Sequence, residues 1–257
     1  MTRKKNAPAE TMTLESDSYW FEARQPLVCL VFLTPLLLIY ELGVLSMGGS
    51  QPELIRNGAD YWMRSWLSQL GLTQTFLLPC LIVGTLLVWH MCCKHPWKVS
   101  AETLVGMFAE SLLFAFCLIV LGQVQDLVFQ QLPSPVMMFI KQESASRVVS
   151  FVGAGVYEEV MFRLLLLPIC YLLFRGMMLQ ARWSAVLAII STSLIFSLAH
   201  YIGATGDQFS VFSFTFRTLA GLFFAGLFFL RGFGITVGAH ATYDIIVGVM
   251  MLEITVE

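Results

Sequence analysis

The sequence predicts an all-α protein, a polytopic transmembrane helical bundle of about seven to eight spans with one interfacial amphipathic helix. Two observations carry this prediction. Hydrophobic residues make up 57% of the 257 residues and charged residues only 12%, about half their share in a typical soluble domain. The apolar runs are also about 20 residues long, which is the length that an α-helix needs to cross the hydrocarbon core and about twice that of a barrel strand.

Seven apolar runs define the predicted spans, and the fourth of them is unusual. It is longer than a membrane requires and contains Gly153 and Gly155, so we expect its helix to be broken there. The segment from Pro135 to Lys141 adds an eighth span if it re-enters the membrane. The predicted spans cover residues 26–46, 76–92, 101–124, 144–174, 183–201, 212–230 and 235–252, and a polar connection covers residues 125–134.

Residues 52–71 differ from the spans because they mix charged and aromatic side chains. Arg56, Asp60 and Arg64 lie in the same segment as Trp66. A helix of this composition lies in the plane of the membrane surface, with its apolar side in the acyl boundary. We therefore expect an interfacial amphipathic helix here rather than a span.

Four other charged residues are expected to have structural roles. Glu41 and Glu102 are near the ends of predicted spans, where we expect them at the membrane interface. Glu110 and Arg217 lie inside the third and sixth spans. A charge in the hydrocarbon region is costly unless it finds a partner, so these two residues are candidates for an ion pair with each other.

The loops that carry lysine and arginine alternate along the chain, and this predicts the orientation of the protein. With seven spans, four basic clusters fall on one side of the membrane, which we expect to be cytoplasmic together with the N-terminus. Lys141 and Arg147 fall on the other side. The clusters are Arg3 with Lys4 and Lys5, Lys94 with Lys98, Arg175 with Arg182, and Arg231 alone.

This organisation divides the chain into three regions. Residues 1–20 are expected to form a cytoplasmic tail, residues 21–143 the first spans with the amphipathic segment, and residues 144–257 a catalytic core. We expect the bilayer to be a bacterial inner membrane, because the N-terminus shows no eukaryotic targeting segment. The net charge of −2 provides no basic surface for nucleic acid.

The most informative feature of the chain is a group of three ionisable residues inside the fourth span. Glu158 and Glu159 are adjacent, and Arg163 follows. Each such charge costs roughly 2.5–3.5 kcal/mol on insertion scales, so the group requires an explanation. Glu159 and Arg163 are four residues apart and can form an ion pair on one helix face, whereas Glu158 points about 100° away. One carboxylate can therefore be held while the other faces a cavity.

Two further polar pairs lie on the last spans. His200 ends the fifth span, four residues after Phe196, and His240 lies inside the seventh, four residues before Asp244. Imidazole and carboxylate groups together can activate a water molecule or bind a metal ion. Any one of these groups alone could simply join two helices by a hydrogen bond. Four such elements on successive spans instead indicate a site built within the membrane.

In their order along the chain, these motifs resemble those of the CPBP intramembrane proteases, a family that includes CAAX prenyl endopeptidases and bacteriocin-processing proteins. The similarity covers residues 149–250. It implies an endopeptidase that hydrolyses a peptide bond of a membrane-associated protein, namely an anchored C-terminus, a leader peptide or a sorting signal. The motifs are Glu158-Glu159 with Arg163, Phe196 with His200, and His240 with Asp244.

The resemblance also implies roles for the first group of residues. Glu158 together with His200 would activate the hydrolytic water. Glu159 would be held by Arg163 and would support the site.

His240 and Asp244 would, by the same resemblance, stabilise the tetrahedral intermediate. The family's motif usually ends in Asn where this sequence has Asp244. An amide can donate a hydrogen bond to an oxyanion, whereas an ionised carboxylate only accepts, so Asp244 would instead orient His240.

Two questions stay open on the sequence alone. His200, His240 and a glutamate could bind Zn²⁺, but there is no HExxH motif, and we expect a glutamate-based mechanism with no cofactor. The alternative function is a non-catalytic scaffold, or a proton-coupled transporter whose Glu and His residues relay protons. Inverted repeats with broken helices would favour the transporter, and the sequence shows no such repeat.

Overall fold

The computed structural model describes residues 19–49, 51–129, 144–203 and 206–251, and in these ranges the chain is helical with no strand. A 3-10 turn at Pro52–Leu54 precedes the second helix, and π-helical segments cover Ala154–Glu158, Val160–Leu166 and Ile246–Met251. The α-helices are α1 (Pro26–Gly48), α2 (Gly58–Gln69), α3 (Leu77–Cys93), α4 (Ala101–Phe129), α5 (Ser144–Gly153), α6 (Leu167–Gly176), α7 (Ala181–Ala199), α8 (Val211–Arg231) and α9 (Phe233–Ile245).

Four of these helices, α1, α4, α7 and α8, are long and apolar enough to cross a membrane. Two shorter apolar helices, α3 and the segment Phe233–Val249 that contains α9, correspond to two more predicted spans. The run from α5 to α6 corresponds to the remaining one. The all-α membrane bundle is therefore confirmed. The possible re-entrant segment at residues 135–141 lies outside the described residues.

The first residues of the polar connection predicted at 125–134 are helical instead, because α4 continues as far as Phe129. Gln125 remains inside this helix and is buried. Its side-chain amide donates a hydrogen bond to the backbone carbonyl of Phe212, 2.8 Å away. A polar residue can thus extend a membrane helix when a neighbouring element satisfies its hydrogen bonds.

The last helix, α9, lies in the centre of the bundle. Every residue from Phe233 to Ala241 is buried, and the helix packs against α1, α4, α5, α8 and the π segment that follows α5. Gly155 permits this close packing, because a Cβ atom there would lie 2.7 Å from the backbone nitrogen of Ala241. His240 is thereby brought beside the segment that carries Glu158.

The break expected near Gly153 and Gly155 takes the form of a change in helix type. The backbone remains helical but widens into π-helical turns on both sides of Glu159. A Cβ atom on Gly153 would lie 2.2 Å from the ring of Tyr40, so the glycine also lets α1 approach at this point. Short π-helical stretches inside α-helices occur frequently at functional sites.

Different segments of the chain meet at the two ends of the bundle. At one end, which we call the basal end, Arg24 donates to the backbone carbonyl of Phe229 and the ring of Phe21 lies against His95. These contacts join the residues before α1 to the ends of α3 and α8. At the opposite end, which we call the site end, Asn57 of the α2 segment and His200 both lie beside Glu158.

The expected ion pair between Glu110 and Arg217 is wrong. Glu110 instead binds Arg231, whose Nε lies 2.6 Å from the carboxylate, and Arg217 pairs with Asp207. The reason is the direction of α8, which runs from the site end to the basal end. Arg217 and Arg231 are 14 residues apart on this helix, or roughly 21 Å, and only Arg231 reaches the level of Glu110.

Candidate active site

Glu159 is the central residue of the polar group within the bundle. Its side chain is fully buried, and its carboxylate faces two partners. One oxygen lies 3.1 Å from Nε of Arg163, so the ion pair that the spacing predicts is present. The other oxygen lies 2.7 Å from Nδ1 of His240, a contact between residues 81 positions apart that the sequence does not reveal.

The guanidinium of Arg163 is held by more than this ion pair. It donates a hydrogen bond to the backbone carbonyl of Gly221 at 3.2 Å and lies over the ring of Phe196 at 4.8 Å. Phe196 belongs to the His200 motif, so the cation joins the first two motifs through its contacts. A buried charge with several partners of this kind is tolerated in a low-dielectric interior.

The imidazole of His240 has a fixed orientation. Its ring stacks on Phe224 with a centroid distance of 4.5 Å, and Nδ1 faces Glu159. The other nitrogen, Nε2, lies 3.5 Å from Asp244 and 3.9 Å from Glu158. The shorter of the two carboxylate contacts is thus the one with Glu159, and Asp244, which the sequence favoured for orienting His240, lies farther from the ring. Asp244 lies near the nitrogen that points into the site.

His200 follows α7, and the end of that helix fixes its tautomer. Nδ1 lies 2.8 Å from the carbonyl oxygen of Phe196, which can only accept a hydrogen bond. Nδ1 therefore carries a proton, and in the neutral imidazole Nε2 is left as the acceptor. This Nε2 lies 3.9 Å from the carboxylate of Glu158.

The two carboxylate oxygens of Glu158 have different surroundings. Oε1 accepts a hydrogen bond from the side-chain amide of Asn57 at 3.0 Å. Oε2 is buried, accepts no hydrogen bond from the described residues, and lies 3.9 Å from Nε2 of both His200 and His240. All six residues predicted for the site therefore belong to one connected cluster, and Oε2 of Glu158 is the point on which the two imidazoles converge.

A second polar network, which the sequence did not predict, lies beside this cluster. Glu41, expected at the membrane interface, is instead 5% exposed. It accepts hydrogen bonds from Tyr157 and from Arg64 at 2.9 Å. Asp60 is fully buried and pairs with Arg56 at 2.7 Å. Arg56, Asp60 and Arg64 of the amphipathic segment thus face the bundle.

The sequence held only indirect signals of this network. Asn57 precedes Gly58 and Asp60 in a pattern typical of a helix N-cap, but nothing in it predicts contact with a residue 101 positions later. Tyr157 is adjacent to Glu158, although a tyrosine in an apolar span is not by itself informative. These contacts depend on how α1 and α2 pack, which composition does not specify.

The site contains two histidines and a glutamate, a set of side chains of the kind that can bind a metal ion. Within the described ranges, no group of three or more His, Cys, Asp or Glu side chains has an arrangement that could hold a metal ion. The cluster instead combines an imidazole acceptor, a second imidazole held by a carboxylate, and a glutamate oxygen between them. These groups can accept, hold and return a proton.

We expect Arg163→Ala to lower the free energy of unfolding by roughly 3–5 kcal/mol, because the carboxylate of Glu159 would stay buried without its cation. Thermal unfolding of the purified protein in detergent measures this loss. Replacing both partners with glutamine should restore much of the stability, and Arg182→Ala, at an exposed position, should change it by less than about 0.5 kcal/mol. Wild-type stability of Arg163→Ala would show that the pair is not needed.

Comparison with known proteins identifies one family. Residues 141–246 match the family model of the type II CAAX prenyl endopeptidase Rce1-like proteins. No curated protein and no solved structure matches the chain. The matched region contains all three motifs and every residue of the cluster except Asn57. The matched region is 106 of the 257 residues, and the match supports the resemblance of its three motifs to those of the CPBP intramembrane proteases.

Proposed function

We propose that this protein hydrolyses a peptide bond of a membrane-associated protein and that Glu158 is the general base. The observation that carries the proposal is the position of Glu158 Oε2, 3.9 Å from Nε2 of both His200 and His240. A water molecule at a hydrogen-bond distance of roughly 2.8 Å from the carboxylate and from His200 fits this spacing. Both acceptors can then orient the water for attack on a carbonyl carbon.

The proton balance of the reaction follows from the same atoms. Glu158 takes one proton from the water as its oxygen attacks the scissile carbonyl, and the carbonyl oxygen becomes an oxyanion. The protonated Glu158 then gives this proton to the leaving amine as the carbon–nitrogen bond breaks. The products are a new carboxyl group and a new amine, and the enzyme returns to its starting state.

His240 is the group that we assign to the oxyanion. Carboxylates, which accept hydrogen bonds when ionised, face both of its nitrogens, Glu159 at Nδ1 and Asp244 at Nε2, and we assign a proton to each nitrogen. An Nε2 proton directed into the site can donate a hydrogen bond to the developing negative charge. Asp244, which cannot donate when ionised, supports this imidazolium rather than binding the oxyanion itself.

The distribution of cations favours an orientation in which the site lies on the outer side of the membrane. The site-end arginines that the structure describes each have a partner. By contrast, the exposed Lys94 and Lys98 lie at the basal end, so the positive-inside rule makes that end cytoplasmic. Asn57 follows the first span and therefore lies across the membrane from the N-terminus. The site-end partnerships are Arg56 with Asp60, Arg64 with Glu41 and Asp60, Arg147 with the carbonyl of Gly248, and Arg217 with Asp207.

This orientation limits the class of substrate. A lipid-modified C-terminus made in the cytoplasm would lie at the basal surface, away from the cluster. A leader peptide or a C-terminal sorting signal of an exported protein would present its peptide bond at the site end. We infer that the substrate is an exported protein still anchored in the bilayer. The choice of a bacterial inner membrane stays a prediction.

We expect Glu158→Gln to abolish cleavage in a protein that still folds, because glutamine keeps the shape of the side chain but cannot take a proton at neutral pH. Mass spectrometry of protein termini in membranes containing the wild type or the variant measures this. New termini should appear with the wild type only, and a peptide spanning one of them then serves as the assay substrate.

Two other carboxylate-to-amide changes are matched controls for this experiment. Glu102→Gln alters an exposed glutamate at the start of α4 and should behave like the wild type. Asp244→Asn introduces the family's usual residue and should retain cleavage. Proteolysis by purified Glu158→Gln at the wild-type rate would rule out Glu158 as the base.

We expect cleavage to proceed without a bound metal ion, because the proposed proton transfers use only side chains of this chain. Elemental analysis of the active protein should find less than one zinc per chain, and exhaustive chelation should leave the rate unchanged. If chelation abolishes cleavage and added zinc restores it, His200 and His240 are metal ligands and the proposed mechanism is wrong.

We expect a cysteine at the site end to react with a membrane-impermeant maleimide from outside the cell, and one at the basal end to react only after lysis. Gln74→Cys and Lys98→Cys, made after replacing the six native cysteines, provide the two exposed positions. Labelling with a permeant maleimide is the control for reactivity. The reverse pattern would place the site on the cytoplasmic side and favour a lipid-modified substrate.

A further inference from the structure

We propose that Asn57 is a positioning residue for Glu158, supplied by the amphipathic segment outside the region that matches the protease family. Its side-chain amide holds Oε1 of Glu158, and the other oxygen is thereby directed at the two imidazoles. This inference rests on the proposed function of Glu158 as the base, but the contact itself can be tested without any activity.

The hydrogen bonds of Asn57 leave its amide only one arrangement. The side-chain oxygen accepts a hydrogen bond from the backbone nitrogen of Ala59 at 2.8 Å and so caps the N-terminus of α2. The side-chain nitrogen must then face the other way, where it lies 3.0 Å from Oε1 of Glu158. An amide nitrogen can only donate and a carboxylate oxygen can only accept, so both contacts are chemically consistent.

The backbone of Asn57 is held as firmly as its side chain. Its nitrogen donates to the hydroxyl of Tyr40 at 2.9 Å, and this hydroxyl donates to Asp60 at 2.8 Å. Asp60 is fully buried between Arg56 and Arg64, at 2.7 and 2.6 Å. A chain of hydrogen bonds therefore runs from two arginines to the backbone of the residue whose side-chain amide contacts Glu158.

The same network reaches the catalytic segment a second time. Arg64 binds Glu41 at 2.9 Å, and Glu41 accepts a hydrogen bond from Tyr157, the residue before Glu158. The segment is thus anchored through both Tyr157 and Glu158. Two contacts at adjacent residues restrain the rotation of this π-helical turn.

An asparagine suits this position because its amide donates a hydrogen bond without adding charge. A lysine or arginine would form an ion pair with Glu158 and make the carboxylate a poorer proton acceptor. A single neutral donor occupies Oε1 and restrains the carboxylate against rotation, and Oε2 stays free to accept a proton. Positioning of this kind affects the chemical step more than substrate binding.

The decisive variants keep the helix cap and remove the donor. In Asn57→Ser and Asn57→Asp, a side-chain oxygen can still accept from Ala59, but neither side chain offers an amide to Glu158. We expect kcat to fall about 10- to 100-fold with little change in KM, which corresponds to one hydrogen bond to a charged group. Gln69→Ala, at an exposed position of the same helix, should leave both constants unchanged.

A stability cycle tests the contact independently of proteolysis. Asn57→Asp sets a second carboxylate against Glu158 and should lower Tm in the wild-type background. In the Glu158→Gln background the new amide can donate to the introduced carboxylate, so the same change should cost much less. If Asn57 only caps α2, Asn57→Asp will change Tm equally in both backgrounds.

The outcomes separate this inference from the proposed function. If Glu158→Gln still cleaves, the proposed base is wrong, whatever the stability cycle shows. If Glu158 is essential but both Asn57 variants keep the wild-type kcat, Asn57 does not position the base and the inference is overturned. Equal Tm changes in the two backgrounds overturn it as well.

Discussion

The packing of the bundle is constrained by one buried charge, the carboxylate of Glu159. Burying this group among apolar helices costs free energy unless partners are supplied. This fully buried group is tolerated because Arg163 and His240 both face it, and each partner belongs to a different helical element. Satisfying the charge therefore requires the elements to pack in one register. The same requirement orients the imidazole of His240 toward Glu158. The interaction that makes the buried charge tolerable also assembles the site.

The same constraint explains the other charged residues. Glu110 forms an ion pair with Arg231 at the basal end, and Asp60 forms ion pairs with Arg56 and Arg64 at the site end. Glu158 differs from all of these carboxylates, because its two contacts to histidine are 3.9 Å long and its one short contact is to a neutral amide. Among the described residues, Glu158 therefore lacks the short contact with an arginine that Glu159, Glu110 and Asp60 each have. The pairing pattern thus separates the glutamate that we propose as the base from the carboxylates that form ion pairs.

The sequence predicted those features that depend on local spacing or on length. Hydrophobic runs of membrane length predicted the transmembrane helices. The four-residue spacing predicted the ion pair of Glu159 with Arg163. It did not predict the contact of Glu159 with His240, or the partners of Glu110 and Arg217, because these depend on which helix ends meet. The sequence predicted a break near Gly153 and Gly155 but not its π-helical form, since an apolar run looks the same at either helical period. The sequence also did not predict that Glu41 is buried, because its position near the end of a span does not reveal which face of the helix it occupies.

The residues of the site come from two parts of the chain, the region that matches the protease family and the amphipathic segment. The region that matches the protease family contains the groups that we propose for proton transfer and for the oxyanion, whereas the contact to Oε1 of Glu158 comes from the amphipathic segment. The outer surface of this segment exposes Tyr61 and Trp66, aromatic residues of the kind that favour the membrane interface. Its inner surface contains the arginines and Asp60 that fix Asn57. A helix held by the interface on one side and by buried charges on the other has little freedom to move, and this rigidity is what precise positioning of a catalytic carboxylate requires.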